Sequence, residues 1–146
     1  MKMQLPFERI YQQAGNWYVL DDDFPWDIHQ VKSDVFSLIE RREVPVIFCD
    51  TCETNDVLIR LGEEEEEFLF PLSGFYHKEK RLIFVCMWEK YESVLETLLH
   101  EFRHDMQHER KLLYVGDEMY EKRWIEKDAR VFAKRKLREY RRRYMN

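Results

Sequence analysis

Leu82-Ile83-Phe84-Val85-Cys86-Met87-Trp88, followed closely by Ser93-Val94-Leu95-Glu96-Thr97-Leu98-Leu99-His100-Glu101-Phe102-Arg103-His104, is the stretch that decides the fold. The first seven residues are uninterrupted apolar, rich in β-branched and aromatic types, and too few for a long helix. They predict a strand buried on both faces. Ser93 with Glu96 three residues on reads as a capping box, so a helix is predicted from Ser93 to about Glu109. On a helical wheel Tyr91, Val94, Leu95, Leu98, Phe102 and Met106 form one apolar stripe. His100, Glu101 and His104 fall well off that stripe, so the helix reads as packed on two sides.

Working outward, the pattern remains one of short strands among helices. Upstream, Trp26–Glu43 carries apolar residues at helical spacing (Ile28, Val31, Val35, Ile39), and Pro45 ends that predicted helix. Val46–Cys49 reads as a short strand, with weaker strand candidates at Val57–Leu61 and Phe68–Leu72. The first twenty-five residues are rich in aromatics but show no clean period. Downstream, a helix is predicted from about Glu118 to Arg142. The expected class is α+β: a small mixed or antiparallel sheet with helices packed on it, a single domain over 1–146. The informative part spans about 74–142, and the N-terminal part has no assigned role.

Composition narrows the function classes. The chain has 146 residues, 45% hydrophobic and 36% charged, with only four Gly and four Pro, which excludes disordered and collagen-like classes. Leu82–Trp88 is the longest apolar run and is far short of a bilayer span, so no membrane partner is expected. Met1–Ile10 lacks the apolar core of a signal peptide, and three cysteines argue against a secreted disulfide scaffold. A cytoplasmic location is the expectation. The net charge of −5 hides an asymmetry: residues 122–146 hold 11 Lys+Arg against three acids, and residues 1–121 hold 13 against 26. Lys134-Arg135-Lys136, Arg138 and Arg141–Arg143 could contact nucleic acid. A solvated helix that attracts the chain's own acidic part is the favoured reading, because the whole chain is acidic and repels phosphate. The run Glu63–Glu67 reads as an exposed loop or strand end, since adjacent carboxylates repel and stay in water.

His100-Glu101-Phe102-Arg103-His104 is H-E-x-x-H on a predicted helix. Residues four apart lie about 40° apart around the axis and about 6 Å along it. Two imidazoles so placed converge on one Zn²⁺. Glu101, next to the first histidine, is placed to take a proton from a water on that metal. A third protein ligand is needed, and Glu126 is the candidate. On the last helix Ile125, Ala129, Phe132, Ala133, Leu137 and Tyr140 form the apolar stripe. Glu126 lies on its edge, in line with small Ala129 and Ala133, which allow close approach of another helix. A carboxylate there is costly without a partner.

The pair His100-Glu101-x-x-His104 and Glu126-x-x-Ala129-x-x-Phe132-Ala133 resembles the gluzincin zinc metallopeptidases, in particular the small minigluzincin and ImmA/IrrE-like group. The strand Leu82–Trp88 directly before the helix is similar too. The resemblance covers about residues 74–135. It implies a zincin-like fold, a hydrolase acting on a protein or peptide substrate, and Zn²⁺ held by His100, His104 and Glu126. It also implies Glu101 as general base and then proton donor to the leaving amine. One departure stands out: many gluzincins place an acid four residues after the ligand glutamate to orient the first histidine, and here that residue is Arg130. That departure motivates the alternative, a catalytically inactive zincin-fold module that binds or regulates another protein.

Other candidates carry less. His108 continues the i, i+4, i+8 ladder but lies about 12 Å along the axis from His100, which suits a cleft or surface residue better than a ligand. Tyr114 and Tyr120 are possible oxyanion donors, with nothing to choose between them. Cys49-Asp50-Thr51-Cys52 is a C-x-x-C that reads as a redox dithiol, half of a zinc site, or two reduced cysteines. The last is favoured, because no second pair follows and Val57-Leu58-Ile59 looks like strand where a thioredoxin-like helix would run.

Overall fold

The computed structural model describes residue 7 and residues 9–68, 72–110 and 118–144, and over 118–121 the backbone alone. The elements run β1 (Gln12–Ala14), β2 (Trp17–Val19), α1 (Ile28–Phe36), β3 (Val46–Phe48), α2 (Thr51–Arg60), β4 (Gly74–His77), β5 (Leu82–Val85), α3 (Tyr91–Glu109) and α4 (Glu118–Tyr144). The fold is α+β. One sheet has the order β1-β2-β3-β5-β4 and is mixed: β2/β3 and β3/β5 are parallel, and the two outer pairs are antiparallel.

Side-chain alternation along β3 and β5 builds two cores. Val46, Phe48, Ile83 and Val85 face α1, α3 and α4, whereas Ile47, Cys49, Leu82 and Phe84 face Val57 and Leu58 of α2. All four residues of β5 are fully buried, as expected of a strand covered on both sides. Helices therefore cover both faces of the sheet, with α2 the one described helix on the second. Phe102 of α3 is fully buried, stacked on Trp17 at 6.0 Å between ring centroids and edge-on to Phe36 at 5.6 Å. Truncating such a ring costs about 3–5 kcal/mol. This aromatic cluster anchors the face of α3 opposite the histidines.

Several boundaries differ from the sequence expectation. α1 stops at Phe36 rather than reaching Glu43. Ser37 Oγ donates to Asp34 O at 2.7 Å, and the backbone amides of Ser37, Leu38 and Ile39 take the last carbonyls, so Leu38 and Ile39 are buried in a turn instead. Val57–Leu61 is not a strand; Val57 to Arg60 are the end of α2. Asp50 caps that helix through Glu53 N at 2.8 Å, and Thr54, Val57 and Leu58 bury an i, i+3, i+4 face that outweighs the β-branched propensity. α3 begins at Tyr91, so Ser93 lies inside it and is no cap; the cap position is Lys90, with no side-chain bond. β1, β2 and β4 have too few residues for a period to show. The first two are joined across Gly15-Asn16, with Gly15 at φ +61°. The strand expected at Phe68–Leu72 falls on residues 69–71, outside the described ones. Glu63–Glu67 has no regular structure and is clamped through Asn55, which exchanges two hydrogen bonds with the Glu66 backbone.

α4 lies antiparallel along α3, as three contacts show. Glu92 meets Arg141 at 2.6 Å, Arg103 meets Asp128 at 2.8 Å, and Gln107 donates to Ile125 O at 3.0 Å. Ala129 and Ala133 are buried at this interface. No described helix is long and apolar enough to cross a membrane.

Candidate metal centre

The antiparallel packing brings His100, His104 and Glu126 together. His100 Nε2 lies 3.2 Å from one carboxylate oxygen of Glu126, and His104 Nε2 lies 2.9 Å from the other. One ligand-type atom from each of the three residues falls within 4.8 Å of the others. Bonds of about 2.0–2.1 Å to a tetrahedral ion place neighbouring donor atoms roughly 3.3 Å apart, so the donor set fits zinc with small side-chain rotations. The two imidazole rings stand nearly perpendicular, with centroids 4.8 Å apart.

His104 is oriented by a residue the sequence reading missed. Gln107, 1% exposed, donates through its amide nitrogen to Ile125 O at 3.0 Å and to Asp128 Oδ2 at 2.8 Å. Its amide oxygen therefore accepts from His104 Nδ1–H at 2.8 Å. That assignment leaves Nε2 of His104, the nitrogen facing Glu126, as the one that would hold a metal in place of its proton. Asp128 is itself fixed by Arg103. The available signal was the i, i+3 spacing of His104 and Gln107 on one helix face.

Electrostatics within the trio are mutually consistent. Hydrogen bonds from His100 and His104 hold Glu126 well below the usual carboxylate range. Burial alone would lower the pKa of His104, but its bond to Glu126, the charge of Glu101 and its bond to Gln107 raise it instead. Glu101 differs from Glu126. It is 7% exposed and has no hydrogen-bond partner among the described residues. Burial pushes its pKa up to about 7, moderated by the two nearby histidines.

Glu101 has room because Gly74 faces it. A Cβ on Gly74 would stand 2.5 Å from Thr97 Cγ2 and 3.1 Å from Glu101 Oε2, so the edge strand β4 approaches α3 this closely only with glycine there. β4, α3 and α4 enclose a cleft of about 910 Å³ that contains His100, Glu101, His104 and Glu126. Lys122 and Arg130 stand on its α4 wall.

The remaining candidates lie elsewhere. His108 is in contact with Tyr76, its Nδ1 3.1 Å from the hydroxyl, and belongs to a different cluster on α3. Tyr114 and the side chain of Tyr120 lie outside the described residues. Cys49 begins no reactive pair: it is fully buried, burial pushes its thiol up, and Thr54 Oγ1 lies between it and Cys86 at 3.6 and 3.5 Å. A helix does follow Cys49, contrary to expectation, but a buried, protonated thiol at this position opposes redox exchange. Part of the basic terminus is engaged internally, with Lys136 on Glu139, Arg141 on Glu92 and Arg143 on Ser37 O.

The sequence model of a family described as "Protein of unknown function (DUF3920)" matches residues 19–144, a span that takes in every residue of the site. Neither a curated protein nor a solved structure matches the chain.

Proposed function

Because the chain belongs to the DUF3920 family, whose description assigns no activity, we propose from the site itself that it is a zinc-dependent metallopeptidase of the gluzincin kind. The observation that carries this reading is Glu101. It is a buried carboxyl group without a hydrogen-bond partner among the described residues, in the same cleft as a convergent His, His, Glu donor set. A structural glutamate this buried would be expected to have a partner; a proton carrier needs its oxygens free for water and substrate.

His100 and His104 would hold Zn²⁺ through Nε2, and Glu126 through its carboxylate. Bound zinc supplies Lewis acidity, polarising a carbonyl and acidifying water. The chain's own contribution is proton movement and orientation. Glu101 takes a proton from the attacking water as the new O–C bond forms. It returns that proton to the amine nitrogen as the C–N bond breaks. Gln107 fixes the imidazole of His104, and Gly74 keeps the space in which the Glu101 carboxylate works.

The second reading, a binding module of the same fold without turnover, has one observation in its favour. Arg130 stands where an acid would orient His100, and His100 Nδ1 has no hydrogen-bond partner among the described residues. Glu101→Gln separates the two. The peptidase reading expects the variant to keep its zinc and lose about 10²–10⁴-fold in peptide cleavage. Cleavage unchanged by Glu101→Gln would contradict it.

A further inference from the structure

The α4 wall of the cleft carries two exposed cations. Lys122, Glu126 and Arg130 follow one another at i, i+4 and i+8 on α4, so a cation stands about 6 Å along the axis on either side of the ligand carboxylate. Both cations are exposed on the cleft, and neither forms an ion pair with a described residue. Once Glu126 and Glu101 are assigned to the metal and to proton transfer, Glu96 is the one acid left among the described lining residues. Residues 1–121 meanwhile carry 26 acids against 13 Lys+Arg. A ligand bearing carboxylates is thus repelled by the acidic part of the chain and drawn to α4, where residues 122–146 hold 11 Lys+Arg against three acids, and Lys122 and Arg130 are the two of these cations that line the cleft. Arg130 can grip a carboxylate with two parallel N–H bonds, and the Lys122 ammonium can follow a flexible backbone.

We infer that this cleft selects acidic peptides, ones carrying a carboxylate within about one helical turn of the bond presented to Glu101, and that Arg130 and Lys122 are the specificity-determining residues. The inference rests on the peptidase reading but is tested without turnover. The zinc-loaded Glu101→Gln protein is used, so that Glu126 is taken up by the metal, as the inference requires, and no peptide is cut. Binding of a fluorescein-labelled octapeptide with Asp-Glu at its centre is then compared with that of its Asn-Gln counterpart by anisotropy. The acidic peptide should bind about threefold to tenfold more tightly at low salt, the range expected of one or two exposed pairs, and the ratio should shrink at high salt. Arg130→Glu and Lys122→Glu should each lower the ratio, and together should bring it to one or below. Equal binding of the two peptides, or a ratio unmoved by the charge reversals, overturns the inference. So does a single-stranded oligonucleotide of equal charge that displaces the acidic peptide. Cleavage of neutral peptides by the zinc-loaded protein would leave the peptidase reading standing even then, whereas its failure would appear as loss of zinc or of Glu101 dependence.

Discussion

His104 and Asp105 are neighbours on α3 and both are buried, yet they face surroundings of opposite design. Asp105 accepts two hydrogen bonds from Arg42, two from Arg81 and one from Tyr76. Burial would raise its pKa, but those donors more than compensate and lower it. Glu109 also meets both arginines, at 2.8 and 3.4 Å, so two carboxylates of α3 balance two guanidinium groups and the cluster is electrically closed. On the other face, both imidazoles reach the Glu126 carboxylate, Glu101 stands beside them, and no arginine or lysine is a direct partner among the described residues. The difference teaches how to tell structural from functional burial. A closed ion cluster fixes the helix, and on the reading proposed above a His, His, Glu set beside a cleft takes a cation from outside.

The largest effect expected from this contrast is on stability. Asp105→Ala would leave two guanidinium groups with Glu109 alone, and the Tyr76 hydroxyl with His108 alone, around a vacated buried position. We expect about 3–5 kcal/mol of destabilisation, at the lower end because Arg81 is about half exposed and can turn to water. Denaturant unfolding checks it; a cost under about 1 kcal/mol would mean the cluster is not what holds α3. The metal face should behave differently. Gln107→Leu removes the orienting bond to His104 and should weaken zinc affinity about 10–100-fold while leaving a folded protein. Competition with a chromogenic chelator measures this, and unchanged affinity would remove Gln107 from the site.

A third cluster sharpens the comparison because its three ligand-type groups are all carboxylates. Asp21, Asp50 and Glu53 gather at the start of α2. Burial, with the charges of Asp21 and Asp50, pushes the pKa of Glu53 up to about 7 from its ordinary 4.5. Below about pH 4.5 Glu53 is protonated in both folded and unfolded chains and costs nothing. As pH rises through about 7 the folded protein must ionise it among like charges, and that stability is lost. Glu53→Gln should therefore stabilise relative to wild type at pH 8 and not at pH 4, by a small margin because the group is partly exposed. An equal gain at both pH values would show that the charge is not the cause.

What was legible in the sequence follows the same physics. H-E-x-x-H and Glu126 could be read because each sits on a long helix with a clear period, and α3 and α4 pack through the residues that period selects. Gln107 was readable in principle, one turn from His104, but its role depends on Ile125 O and Asp128 across the interface. The Asp105 cluster was not readable, since Arg42 lies 63 positions away in an irregular segment. β-branched Val57 and Ile59 pointed to a strand until the Asp50 cap and the buried face of α2 decided otherwise.

Zinc content is the direct test of the central claim, measured by elemental analysis on purified wild type and Glu126→Ala, with folding of both checked by circular dichroism. The account predicts one zinc per chain in the wild type and a sharp loss in the folded variant. No zinc in the wild type under zinc-replete conditions, or full zinc retained in Glu126→Ala, would contradict it.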